Sequence, residues 1–234
     1  MGTIGENVRR VRDQMAEAAI QAGRKPEEVL LCAATKTNPT EAIRQAVLAG
    51  VDACGENRVQ ELVEKAPQGA YAGVPLHFIG HLQKNKAKLI VGQADLIESV
   101  DSLELLALLD RLAAERGIQQ DVLLEVNLGL EESKTGFAPD RVLAAAQEMQ
   151  AYPALRLRGL MAIPPAAEQP GQNRPFFAKL RQLYVDIKAK TYDNKAIDCL
   201  SMGMSGDFCD AILEGSTMVR LGTAIFGPRQ TAAH

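Results

Sequence analysis

Lys36 stands in Leu30-Leu31-Cys32-Ala33-Ala34-Thr35-Lys36-Thr37-Asn38-Pro39, at the end of a short apolar run that stops at a proline. The run reads as a buried strand and Asn38-Pro39 as the turn that closes it. A lysine there places an amine at the rim of a sheet, with apolar groups behind it. Desolvation disfavours the ammonium form, so more free amine is available. A free amine forms a Schiff base with an aldehyde. The plainer reading is a snorkelling lysine at a strand end, its head in water. Two later segments weigh against it. Ser201-Met202-Gly203-Met204-Ser205-Gly206-Asp207 is rich in glycine and serine, and a helix is expected to start near Asp207. Arg220-Leu221-Gly222-Thr223 adds a second close-approach backbone and another hydroxyl. Exposed N–H groups at a helix start, with hydroxyls, bind anions.

These residues act together only if the fold brings them to one place. Short apolar runs recur near 29–35, 51–55, 76–80, 96–100, 121–128, 157–163, 198–202 and 217–225. Helical or turn-rich stretches separate them. Residues 102–116 carry Leu105, Leu108, Leu109 and Leu112 on one face. Residues 139–150 and 174–189 have similar stripes, and an additional helix is predicted over 3–22, ahead of the first strand. Strands alternating with helices imply a parallel sheet, and runs that are apolar throughout imply strands covered on both faces. Eight such units in about 200 residues predict a single (β/α)8 TIM barrel over residues 1–229, with 230–234 as a short tail. A doubly wound open sheet is the alternative. No G-x-G-x-x-G follows the first strand, so a dinucleotide fold lacks its main support.

In such a barrel the site lies at the carboxyl ends of the strands, and the loops after strands seven and eight are its usual phosphate grip. That rim collects Lys36, Asn57, His81, Met161, Ser201, Ser205, Arg220, Gly222 and Thr223. Lysine and two anion-binding turns on one rim describe a small molecule with an aldehyde at one end and a phosphate at the other. Pyridoxal 5′-phosphate has that form. His81 reads equally well as a structural histidine, and Asn57 as a helix cap or a neighbour of the cofactor ring. Arg58 reads as a solvated partner of Glu56 or Glu61, and Cys32 as core. Pro164-Pro165 to Gly171 reads as a mobile surface loop.

Composition narrows the classes. The chain has 234 residues, 47% hydrophobic and 24% charged, with a formal net charge of -3. No broad basic excess points to nucleic acid, although Lys84-Asn85-Lys86-Ala87-Lys88 is a local basic cluster, read as a solvated helix face. No run is long enough to span a membrane. The N-terminus lacks the basic start and apolar segment of a secretory signal. Cys32, Cys54, Cys199 and Cys209 form no C-x-x-C pair, and His77, His81 and His234 show no zinc spacing with them. A cytoplasmic chain with reduced thiols and no metal is expected.

Six ordered segments carry a resemblance. They are Ala34-Thr35-Lys36-Thr37, Gly55 to Glu61, His77 to Lys86, Gly159-Leu160-Met161, Ser201 to Asp207 and Val219 to Gly227. Together they resemble the pyridoxal phosphate homeostasis proteins, the YggS/PROSC family, over nearly the whole chain. The resemblance implies a barrel like the alanine racemase N-terminal domain, with Lys36 carrying pyridoxal 5′-phosphate as a Schiff base. It implies that Ser205, Gly222 and Thr223 hold the phosphate with Ser201 nearby, and that Asn57 and Met161 lie beside the ring. Arg220 matches an arginine that faces the pyridine nitrogen in the similar racemase barrel; contact with the phosphate is the alternative. Thr35 stands where many members have another small residue. The resemblance further implies a monomer.

The function expected from these readings is reversible holding of pyridoxal phosphate, and of related B6 vitamers, with indirect effects on amino- and keto-acid pools. Apo-enzymes that use the cofactor are the expected recipients. An amino-acid racemase is the enzymatic alternative. It needs an acid–base group on each face of the substrate, and none of Tyr71, Tyr152, Tyr184 and Tyr192 falls at a predicted rim position. A Schiff-base aldolase is a third reading, though in barrels of that class the lysine usually comes from a later strand.

Overall fold

Each apolar run settles as one strand of a closed parallel barrel in the computed structural model, which describes residues 2–131, 134–190 and 195–228. Tyr192, His234 and the tail from 230 lie outside the described residues. The strands are β1 (Leu30–Ala34), β2 (Ala53–Glu56), β3 (Leu76–Phe78), β4 (Leu96–Val100), β5 (Gln120–Glu125), β6 (Leu155–Met161), β7 (Lys195–Ser201) and β8 (Met218–Leu221). They pair in chain order, and β1 closes on β8 with Cys32 opposite Arg220. An additional helix, α1 (Ile4–Gln21), precedes the barrel. The crossover helices are α2 (Thr40–Leu48), α3 (Val59–Lys65), α4 (Leu103–Glu115), α5 (Val142–Glu148), α6 (Arg174–Ala189), α7 (Phe208–Leu213) and α8 (Thr223–Phe226). After β3 the connection is a 3-10 helix, Lys84–Leu89, with Lys84 and Lys88 exposed. No described helix is long and apolar enough to cross a membrane.

Two expected strands end early. The run to 128 is strand only to Glu125, and the run to 225 only to Leu221. From Thr223 the latter is helical, because apolar character alone does not separate a strand from the helix that follows it.

The two faces of each strand explain the apolar runs. Leu31 and Ala33 pack outward among the helices, while Cys32 joins Ala53, Leu96, Leu123, Met161, Cys199 and Met218 inside the barrel. Small side chains from β1 and β2 leave the interior room for the polar groups described below.

The first helix has a structural task at the site's end of the fold. Thr3 caps it in a reciprocal box with Glu6, and Val8, Val11, Met15 and Ala18 are buried. Helix α1 packs against α2, α7 and α8. Asn7 Nδ2 donates to the Ile225 carbonyl at 2.9 Å, and Arg10 Nη2 to that of Ala224 at 3.2 Å. These bonds fix the short helix that follows the Gly222 turn.

Gly159 explains one of the sequence motifs. The β6–β7 pairing shifts register between Leu157 and Gly159, where φ is +149°. A Cβ there would lie 1.8 Å from the Cys199 carbonyl oxygen. Gly159→Ala must therefore open the barrel wall, and a loss of about 4 kcal/mol is expected, among the larger single-site effects. It is read as a lowered urea midpoint, and a midpoint equal to wild type would show that the two strands part without cost.

Candidate functional site

At the carboxyl end of the barrel a buried carboxylate organises the first two strands. Glu56 is fully buried. It accepts hydrogen bonds from Thr35 Oγ1 at 2.9 Å, the Asn57 N–H at 2.8 Å and Tyr71 Oη at 3.3 Å, with Lys65 Nζ 3.6 Å away. One side chain thus fixes the residues flanking Lys36 and Asn57. Arg58 pairs instead with Glu61, at 3.5 Å. Thr35, a local departure in the sequence, supplies the bond from β1.

The chain turns sharply after Lys36. Thr37 has φ +63°, which for a β-branched residue carries strain of about 1–3 kcal/mol. Its N–H donates to Glu61 Oε2 at 2.8 Å, and its hydroxyl to the Lys36 carbonyl at 2.6 Å. Burial pushes the Glu61 carboxyl up, but the hydrogen bonds from Lys65 and the Thr37 N–H outweigh it, leaving it below the usual carboxylate range. Beyond this turn lies a cavity of about 790 Å³ whose lining includes Ala34, Lys36, Thr37, Asn38, Gly222 and Thr223. The rim lysine and the last glycine turn therefore share one space.

The turn after β7 is tied to the turn after β8. Ser205 Oγ accepts from the Ala224 N–H at 3.2 Å, and the Gly203 carbonyl accepts from the Arg220 N–H at 3.0 Å. Gly203 has φ +96°, and a Cβ there would meet Ala211 Cβ at 2.6 Å. A Cβ at Gly206 would meet nothing within 4 Å, so this backbone faces open space. Of the opening N–H groups of α8, that of Ala224 is taken by Ser205, and those of Ile225 and Phe226 by the Gly222 carbonyl. Ser201 turns the other way, into the barrel, where its hydroxyl meets Glu98 and Arg220. Arg220 is 4% exposed, and its Nη2 donates to the Ala162 carbonyl at 2.9 Å.

Asn57 and His81 line a second hollow of about 460 Å³ at the same end, with Gly80, Ser99, Glu125 and Asn127. Asn57 Oδ1, Ser99 Oγ and Asn127 Oδ1 are buried there without a hydrogen-bond partner among the described residues. Burial and the nearby Asp101 charge hold the Glu125 carboxyl above its usual range. His81 is half exposed, with Nδ1 3.3 Å from Asp101. Met161 is fully buried in the interior cluster. The structure thus joins Lys36, Gly222 and Thr223 directly and Ser205 through Ala224, while Asn57 and His81 line the second hollow.

Thr37, Ser99 and Glu98 were not assigned roles from sequence, and Glu56 was read only as one of two partners for Arg58. For Glu98 a signal exists: in Leu96-Ile97-Glu98, a period of two places it on the face of Leu96, toward the interior. Thr37 has none.

Residues 3–230 match the family described as alanine racemase, N-terminal domain. The pyridoxal phosphate homeostasis protein of Pseudomonas aeruginosa is 44% identical, covering 100% of this chain and 99% of that one. A protein from Bifidobacterium adolescentis of solved structure has a TM-score of 0.90 and 41% identity, covering 95% of this chain and 94% of its own. PipY of Synechococcus elongatus, in its structure with PLP bound, has a TM-score of 0.78 and 34% identity, covering 91% and 100%.

Proposed function

The chain belongs to the pyridoxal phosphate homeostasis proteins, built on the alanine racemase N-terminal domain, and from that premise we propose that Lys36 and the two glycine turns are its hold on pyridoxal 5′-phosphate. The protein binds this cofactor and acts in keeping its free level within bounds.

The residues present fit the group. The cavity shared by Lys36 and the Gly222–Thr223 turn lies within the size range of small-molecule sites. Unpaired buried oxygens of Asn57, Ser99 and Asn127 lie at the same mouth, and the Gly206 backbone faces open space. When bound, the cofactor supplies an aldehyde that condenses with primary amines and a ring that withdraws electrons. Lys36 would hold it covalently. Ser205, Gly222 and Thr223 would hold the phosphate, and Asn57 would border the ring. Arg220 lies two residues deeper on β8 than the Gly222 turn and is buried, which supports a place at the ring nitrogen over one at the phosphate. A cation there keeps that nitrogen unprotonated and the ring a weak electron sink. That favours holding the molecule over using it.

Racemisation would need a second acid–base group. Of the three described tyrosines, Tyr71 donates to buried Glu56, Tyr184 lines a hollow at the opposite mouth of the barrel, and Tyr152 precedes the start of β6 at that same end. None of them supplies it.

The shared cavity carries this reading, and delivery to a recipient tests it. Loaded wild-type protein should restore activity to a cofactor-free enzyme, while keeping free aldehyde below that of an equal total of cofactor alone. No recovery of the recipient, or free aldehyde at the unbuffered level, would overturn the function proposed.

A further inference from the structure

Beneath the mouth, buried polar groups from four strands form one connected chain. Arg220 Nη1 donates to Ser201 Oγ, and Ser201 Oγ donates to Glu98 Oε2 at 2.6 Å. Glu98 Oε1 meets His77 Nδ1 at 2.7 Å. Arg220 Nη1 also lies 3.8 Å from Glu98 Oε2. Glu98 and Ser201 are almost wholly enclosed, Arg220 is 4% exposed and His77 7%. His77 lines a hollow of about 930 Å³ at the amino-terminal mouth, beside the Arg158–Asp121–Asp198 ion pairs.

A buried carboxylate in a barrel interior needs a reason, since an apolar side chain of similar volume avoids its desolvation. Cys32 Sγ, a His77 nitrogen and a Glu98 oxygen lie within 4.8 Å of one another, a spacing suited to a metal ion. The guanidinium 3.8 Å from Glu98 repels a cation, and burial holds the Cys32 thiol in its protonated form. The hydrogen-bonded partners of Glu98 point instead to Arg220.

Resting on the reading that this chain holds pyridoxal phosphate, we propose that Glu98 is a positioning residue: it orients Arg220 through Ser201 and tempers the positive charge that the guanidinium presents to the cofactor ring. A guanidinium with no carboxylate behind it would place its full charge against the ring. With Glu98 at 3.8 Å, part of that field is cancelled from the far side, and Ser201 and the Ala162 carbonyl keep the fork from turning. His77 satisfies the second carboxylate oxygen from below. The electronic character of the bound ring is thus set by a residue one side chain removed from it.

The test reads the visible absorption band of the cofactor on the protein, which responds to charge near the ring. Wild type, Glu98→Gln, Arg220→Gln and the double variant are each loaded and scanned. Glu98→Gln keeps the shape and removes the charge, so the ring faces more positive charge and the band moves opposite to its movement in Arg220→Gln. In the Arg220→Gln background the second substitution moves the band less than it does in wild type, because the share that acts by orienting Arg220 is gone. A Glu98→Gln band equal to wild type, one moved in the Arg220→Gln direction, or additive shifts would each overturn the proposal. Should Glu98→Gln not fold, Ser201→Ala replaces it. Removing the bridging hydroxyl leaves both charges in place, and the band should move in the direction expected of Glu98→Gln by a smaller amount; an unmoved band overturns the proposal. Wild type that develops no band at all refutes the cofactor assignment itself, before any variant is compared.

Discussion

Lys36→Ala protein will show no covalent cofactor after borohydride treatment and will bind pyridoxal phosphate at least about a hundredfold more weakly than wild type, about 2.7 kcal/mol. The loss follows from chemistry: among the described residues no other lysine lines the cavity that holds the Gly222–Thr223 turn. The remaining affinity should come from the two turns, which the substitution leaves intact. Inorganic phosphate should therefore compete with what binding persists. Lys36 is only partly buried, so the thermal midpoint of the unloaded protein should move little, separating loss of the amine from loss of the fold. Absorbance and borohydride labelling equal to wild type would remove Lys36 from the site.

Arg220→Gln should damage both binding and stability. Removing one partner of a buried ion pair costs about 3–5 kcal/mol, because the other charge stays enclosed. The charge that loses its partner is that of Glu98. Burial pushes its carboxyl up, but the His77 hydrogen bond and charge, the Arg220 charge and the Ser201 hydroxyl together bring it below the usual carboxylate range. A carboxyl lowered by folding contributes stability that is complete above its unfolded-state value and is lost as pH falls through its folded-state value. Without Arg220, one lowering influence disappears. Glu98 then takes up its proton at a higher pH, which relieves its unpaired charge, so the stability lost by the substitution is largest near neutral pH and shrinks as pH falls. Urea midpoints measured from about pH 7 down to pH 3 should converge between the two proteins. Two curves that run parallel would show that Arg220 does not hold the Glu98 charge.

The barrel was legible because its signal is coarse. Apolar runs such as Leu30 to Ala34 and Leu96 to Val100 need only to be found and counted. Lys36 was legible because a charged residue ending an apolar run stands out, and Gly222-Thr223 because glycine marks a turn. The limits have equally physical causes. The strand containing Gly159 gives no hint that a carbonyl oxygen would lie 1.8 Å from a Cβ, since that contact joins residues forty positions apart. Thr37 reads as an ordinary polar residue, and its left-handed backbone is imposed by Glu61 from α3. Glu56 invited pairing with nearby Arg58, yet its partners come from Thr35 and Tyr71. Residue type and local spacing pointed to residues that line one cavity, Lys36 and the Gly222 turn among them. The groups behind those residues depend on which strands become neighbours.

The closure of β1 on β8, with Asn7 bonded to Ile225 across 218 positions, also has a consequence during synthesis. A growing chain meets both ends of its barrel only when the last segment leaves the ribosome. Until then β1 and the newest strand present open edges, the condition in which parallel sheets fold slowly and associate wrongly. The turn after β8 is made after every strand of the barrel, so a nascent chain carries the Lys36 amine long before it owns the turn proposed to select what that amine keeps.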